Sequence, residues 1–205
     1  MTSEVLDLGG TRVVLLPVIR GLVSERARVR RAIEDAHPAA VAVSISRQEL
    51  EALVVHGGET AEPSGLEEEV YVAGLSNFGA VEKPPPCFTE AVAVARALGI
   101  PVHPLDMEEG DFSETYVREV SGLEFVVAGI RRSRLRRWRP RADSAEAFVL
   151  SWDARVNRSR GLTALQERRE AHIAERLRDL SHASGSLVAL VDLERSRGIA
   201  DRLRR

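Results

Sequence analysis

Arg12-Val-Val-Leu-Leu-Pro17 and Ala39-Ala-Val-Ala-Val-Ser-Ile45 are short apolar runs separated by a stretch with helical spacing, and that succession decides the fold. Aliphatic and β-branched runs without polar alternation suit strands covered on both faces of a sheet. Between them Ser24 stands where an N-cap would, and Val29, Ile33 and Ala36 recur at helical intervals until Pro38 interrupts. After Ile45, Ser46-Arg-Gln-Glu49 places serine and glutamate three residues apart, the spacing of a capping box that starts a second helix. Strand, helix and strand in close succession imply parallel strands joined by right-handed crossovers.

Outward from this unit the pattern repeats. Phe88, Ala91, Val92, Ala95 and Leu98 fall at helical spacing over Cys87 to Leu98, Gly99 supplies a stop, and Ile100 to Leu105 reads as another inner strand. Beyond Asp111 the chain reads as several helices, with Ile173, Leu177 and Leu180 forming the apolar stripe of a long one that starts near Leu162 and ends before Gly185. Ser186-Leu-Val-Ala-Leu-Val191 is a last buried strand, and Gly198 to Leu203 closes as a short helix. The stretch from His56 to Gly65, rich in Gly, Glu, Thr, Pro and Ser, reads as a mobile surface loop, and Ser76-Asn-Phe-Gly79 as a turn. Val70 to Ala73 and Pro84-Pro-Pro86 carry no decisive pattern. The expectation is a single α/β domain over residues 1–205, with a mostly parallel mixed sheet flanked by helices and a helical insertion, roughly 111–184, before the last strand.

Composition narrows the function classes. An apolar fraction of 44% and a charged fraction of 29% are those of a globular chain able to bury a core. The formal net charge of -2 gives no global field toward nucleic acid. The single cysteine, Cys87, cannot form an internal disulfide and is assigned no chemistry. No apolar run approaches the roughly 20 residues of a membrane span, and the first ten residues lack the basic-then-apolar pattern of a secretory signal, so a cytoplasmic protein is expected. There is no phosphate-cradling glycine loop, no nucleophile elbow and no paired cysteines for zinc. The five histidines, His37, His56, His103, His172 and His182, are scattered without ligand spacing.

The order of elements, together with Phe88-Thr-Glu-Ala-Val-Ala-Val-Ala-Arg-Ala-Leu-Gly-Ile-Pro-Val-His-Pro-Leu-Asp-Met107, the helix pair Glu167-Arg168 and the terminal Val188 to Leu203, resembles the TraB family and its GumN and Tiki relatives, most of all small archaeal members. Tiki-type members of that superfamily are metal-dependent peptidases, and TraB-type members are associated with shutting down peptide pheromone signals. The resemblance implies a Gly-x-x-His motif after the first strand, an acidic residue after the second and another Gly-x-x-His after the last. The corresponding positions here are Pro17-Val-Ile-Arg20, Ser44 and Asp192-Leu-Glu-Arg195. Arginine is always cationic and offers no lone pair to a metal, and serine is a poor substitute for a carboxylate. On this alignment the peptidase mechanism is lost and the domain is a pseudoenzyme.

Ligands of parallel sheets bind at the carboxyl ends of the strands, where the sequence places Arg20, Ser44, Ser46, Arg47, Asp106, Asp192, Glu194 and Arg195, with Arg168 added from the helix pair. Guanidinium forks in a crevice suit a carboxylate or phosphate, hence a peptide or small anionic ligand, bound by a domain that could act as a homodimer. The competing expectation is that Arg20 and Arg195 simply pair with Asp106, Asp192 or Glu194 and hold the sheet edge together. No cofactor is expected; if a divalent ion such as manganese, zinc or magnesium were recruited by a divergent hydrolase, Asp106, Asp192 and Glu194 would be its ligands. Seven arginines and Trp138 lie between Arg131 and Arg141. This run is read mainly as a solvated face with Trp138 packed on the core, and secondarily as a nucleic-acid or acidic-membrane contact.

Overall fold

The computed structural model of the chain describes residues 2–56, 65–133, 135–138 and 142–205, and for 56, 131–133 and 136 the backbone only. The expected loop after His56 and the far end of the arginine run lie outside the described residues.

The first and second expected strands form as β2 (Thr11–Val18) and β3 (Ala40–Val43), separated by α1 (Glu25–Ala36). They are preceded by β1 (Glu4–Leu8), which pairs antiparallel with β2 through a tight turn at Gly9 and Gly10. Both glycines have positive φ, 64° and 91°, the conformation a two-residue hairpin turn requires. With β4 (Val102–Pro104) and β5 (Ser186–Asp192), the sheet has the order β1-β2-β5-β3-β4 and is parallel except at β1. The last strand of the sequence thus enters the middle of the sheet, where burial on both faces explains its uninterrupted Leu-Val-Ala-Leu-Val.

Alternate residues of each strand face opposite layers, as the period of a strand dictates. Val14, Leu16, Val41, Val43, Val188 and Leu190 pack against Val29 and Ile33 of α1 and against Phe88, Ala91, Val94 and Ala95 of the helix that runs from Pro86 to Leu98 in the same layer. Val13, Leu15, Ala40, Ala42, Leu187, Ala189 and Val191 pack on the other side against Ile173 and Leu177, and against Ile199 and Leu203. The helices in chain order are α1, α2 (Arg47–His56), α3 (Leu66–Leu75), α4 (Pro86–Leu98), α5 (Glu109–Glu119), α6 (Gly122–Ser133), α7 (Ala145–Val156), α8 (Arg160–Ala183) and α9 (Leu193–Leu203). The α/β architecture and the helical insertion between β4 and β5 agree with the expectation. Among the described residues, no helix is long and apolar enough to cross a membrane.

Local signals were honoured unevenly. Ser46 and Glu49 form the capping box in full, with Ser46 N donating to Glu49 Oε2 at 2.9 Å and Glu49 N to Ser46 Oγ at 3.2 Å. Ser24 occupies the N-cap position of α1 in αR conformation and its side chain caps nothing. The segment Val70 to Ala73 is helical within α3, and α9 begins at Leu193, directly after the strand, rather than at Gly198.

Beyond the carboxyl end of β2 a third cluster forms around Ile19, Leu22, Leu75, Phe148 and Val149, bringing α3 and α7 over that end of the sheet. Trp138 belongs to it, with its ring 6.2 Å from Phe148 and 5.6 Å from Trp152.

Candidate functional site

Parallel pairing brings the carboxyl ends of β2, β5, β3 and β4 to one edge, with Val18 beside Asp192, and Val43 beside both Leu190 and Pro104. The chain leaves β2 through Ile19 and Arg20 and turns at once at Gly21, whose φ of 99° favours glycine and whose position leaves only 3.1 Å from an added Cβ to Val81 Cγ1. Arg20 is therefore held over the edge by a fixed turn.

Its guanidinium is bound on two nitrogens. Nε donates to Asp192 Oδ1 at 2.6 Å, and Nη2 donates to Asp192 Oδ2 at 2.8 Å and to the Ser44 carbonyl at 2.7 Å. The third nitrogen, Nη1, has Glu49 Oε1 at 4.0 Å. The guanidinium carbon also sits 5.1 Å from the centre of the Phe88 ring, a cation–π distance. Burial works against the charge on Arg20, but Asp192 beside it prevails and holds its pKa above the ordinary arginine value. From α3, the Tyr71 hydroxyl donates to the Arg20 carbonyl at 3.3 Å. Burial, then the carboxylates of Glu194 and Asp192, push that hydroxyl's pKa up, so Tyr71 stays a donor. Cys87 lies beneath, fully buried, its thiol pushed up chiefly by burial, which agrees with its having no assigned chemistry.

A second pair stands beside the first. Asp106, just past β4, accepts from Arg169 Nε at 3.3 Å and also from Arg169 Nη2, and takes the Met107 amide at 2.8 Å. Arg169 Nη1 reaches Gln166 Oε1 at 2.9 Å. Burial opposes its charge and Asp106 more than offsets that, leaving its pKa raised. Glu194 lies half-buried in the first turn of α9 and makes no ion pair among the described residues. Burial, and next the charge of Asp192, push its carboxyl up from 4.5 to about 7.

Of the nine residues singled out from the sequence, Arg20, Ser44, Asp106, Asp192 and Glu194 converge at this edge. Ser44 is fully buried, and its Oγ has no hydrogen-bond partner among the described residues. Ser46 is committed to its cap, and Arg47 is exposed, 3.5 Å from Glu108. Arg195 turns to the helical layer instead. It is buried, pairs with Asp153 of α7 and stands 3.4 Å from Glu170 of α8, a carboxylate shared with Arg202 at 2.8 Å. Arg168 is exposed and reaches Glu119 at 3.2 Å. Arg169, Tyr71, Glu49 and Phe88 complete the edge and were not singled out. Arg169 is next to Arg168, and one residue on a helix rotates a side chain by about 100°, enough to exchange solvent for the sheet edge.

Among the described residues no three His, Cys, Asp or Glu side chains are grouped so as to hold a metal ion. Among the described residues, the edge is a network of guanidinium–carboxylate pairs in which Arg20 Nη1 makes no hydrogen bond and Glu194 makes no ion pair. No family model matches the chain, and no curated protein matches it.

Proposed function

We propose that the chain is a non-catalytic binding domain of TraB-like architecture that takes the carboxylate of a peptide or other small anion at the carboxyl edge of its sheet. The observation that carries this reading is the state of Arg20: Nε and Nη2 are engaged by Asp192 and Ser44, while among the described residues Nη1 faces only Glu49, at 4.0 Å. At 4.0 Å Glu49 Oε1 is beyond hydrogen-bonding distance while Oε2 is held by the Ser46 amide, so the two N–H donors of Nη1 are left for an incoming carboxylate. The surrounding charge limits the affinity. Glu49 and Glu194 oppose an anion, so the ligand binds weakly and best when Glu194 carries its proton, below about pH 7.

The alternative, a divergent metal-dependent hydrolase, needs Asp106, Asp192 and Glu194 to turn their oxygens to a common ion. Both oxygens of Asp106 and of Asp192 are taken by guanidinium donors, which favours binding over hydrolysis.

Calorimetric titration with acetate and with a short peptide bearing a free carboxyl terminus tests the reading. Glu49→Gln keeps an oxygen to cap Ser46 but removes the competing charge. It is expected to tighten binding several-fold, and lowering the pH from 8 to 6 should do the same in the parent. Unchanged affinity in Glu49→Gln at both pH values sinks the proposal. A manganese ion retained by the purified protein and lost on Asp106→Ala would bring the hydrolase forward.

A further inference from the structure

The helical insertion encloses a cleft of about 460 Å³ between α5, α6, α7 and α8, a volume within the range of small-molecule sites. Its walls are apolar: Phe112 and Tyr116 from α5, Phe125 and Val126 from α6, Leu162 and Leu165 from α8. Phe125 and Val126 are 64% and 57% exposed, and α6 also presents Leu123 to solvent, so among the described residues one wall has no cover.

The rim is not apolar. Arg155 and Arg158, at the end of α7 and just beyond it, line the same cleft. Arg155 lies 5.9 Å from the Trp138 ring, and among the described residues neither arginine has a carboxylate partner. This sets them apart from Arg20, Arg169, Arg195 and Arg202, each of which is paired. The cleft's two acidic residues do not fill that role. Glu124 accepts from the amides of Ser121 at 3.0 Å and Gly161 at 2.8 Å, and Glu67 has a partner of its own.

We propose that this cleft is a binding site for an amphipathic carboxylic acid, whose hydrocarbon body lies against Phe125, Val126 and Leu162 and whose carboxylate meets Arg155 and Arg158. An apolar body answers the uncovered wall, and a carboxylate answers the unpaired guanidiniums with charge-assisted hydrogen bonds. The site is separate from the strand edge, so it stands whether or not Arg20 binds a ligand.

The probe is decanoate, kept below its micellar concentration, added to the full chain and followed by tryptophan fluorescence and by calorimetry. Saturable binding of one decanoate per chain is expected, at least roughly tenfold tighter than decanol or acetate. Arg158→Glu and Val126→Glu alter exposed side chains, so melting should be unchanged, and each should weaken decanoate roughly tenfold or more. Arg197→Glu, at a residue 94% exposed on α9, should leave it unaffected. Decanol binding as tightly as decanoate, or decanoate indifferent to both cleft variants, overturns the proposal. So does binding to vesicles of anionic phospholipid without binding of monomeric decanoate, which would make the exposed helix a membrane contact.

Discussion

Replacing Arg20 by methionine keeps most of the side-chain volume and removes the charge. It leaves Asp192, 5% exposed and at the centre of the sheet edge, with both oxygens stripped of their guanidinium donors. An uncompensated buried charge of this kind costs about 3–5 kcal/mol. Asp192→Asn is gentler, about 1–3 kcal/mol, because the Arg20 side chain is 30% exposed and can turn to water and to Glu49. The double variant buries neither charge alone, so its cost should fall short of the sum by about 2 kcal/mol, the coupling expected of contacting residues. For a domain of this size the Arg20→Met loss corresponds to a fall in Tm on the order of 10 °C. Urea denaturation of the four proteins at one pH, read by circular dichroism with m-values checked for constancy, closes the cycle. If Arg20→Met melts within about 2 °C of the parent, or if the two single effects add, the pair does not organise the edge and the argument fails.

Glu194 makes stability depend on pH. Its carboxyl is raised from 4.5 to about 7, so between those values the folded chain holds a proton that the unfolded chain has lost. Stability from this group is therefore greatest below about pH 4.5 and is lost as pH rises through 7. Glu194→Gln should flatten that slope in urea melts from pH 5 to 8 and stabilise the protein at pH 8 by roughly 2–3 kcal/mol. An unchanged slope would mean that another group carries the proton. Gly198→Ala places a methyl group against the Glu170 carboxylate, which Arg195 and Arg202 hold in place. A loss of about 1–3 kcal/mol is expected on thermal denaturation, and a neutral effect would show that Glu170 is free to move aside.

What the sequence disclosed follows the range of the interactions. Ser46 and Glu49 were legible because a capping box is made by residues three apart, and the inner strands β2, β3 and β5 because a strand covered on both faces must be apolar throughout, whereas the inner strand expected over Ile100 to Leu105 is the short, half-buried edge strand β4. The edge strand Glu4–Leu8 alternates half-buried and exposed residues and was not recognised, although Asp7, Gly9 and Gly10 carried its turn signal, with the Gly10 amide donating to Asp7 at 2.8 Å. The start of α9 was hidden because its first turn buries an arginine instead of an apolar residue, and only the distant Asp153 and Glu170 make that burial tolerable. Arg20 with Asp192 was among the pairings the sequence suggested. Arg169 with Asp106 was not, since nothing local distinguishes Arg169 from Arg168.

A buried ion pair is weak evidence for stability, because well-packed apolar residues usually serve at least as well. Arg20 with Asp192 and Arg169 with Asp106 therefore need a reason beyond holding the sheet, and the arithmetic of the edge supplies one. Leaving aside the exposed Glu49, two guanidiniums meet three carboxyls, and the third, Glu194, has no ion pair among the described residues and is driven toward its neutral form by burial and by Asp192. With Glu194 protonated, the inner edge is balanced, and Nη1 of Arg20 is the donor still facing outward. With Glu194 ionised, the inner edge carries one negative charge, added to that of Glu49, that repels an anion from that same donor. The group that sets the stability slope thus also sets the ligand affinity, so the stability loss should level off where the affinity begins to fall, near pH 7, and both pH dependences should vanish together in Glu194→Gln.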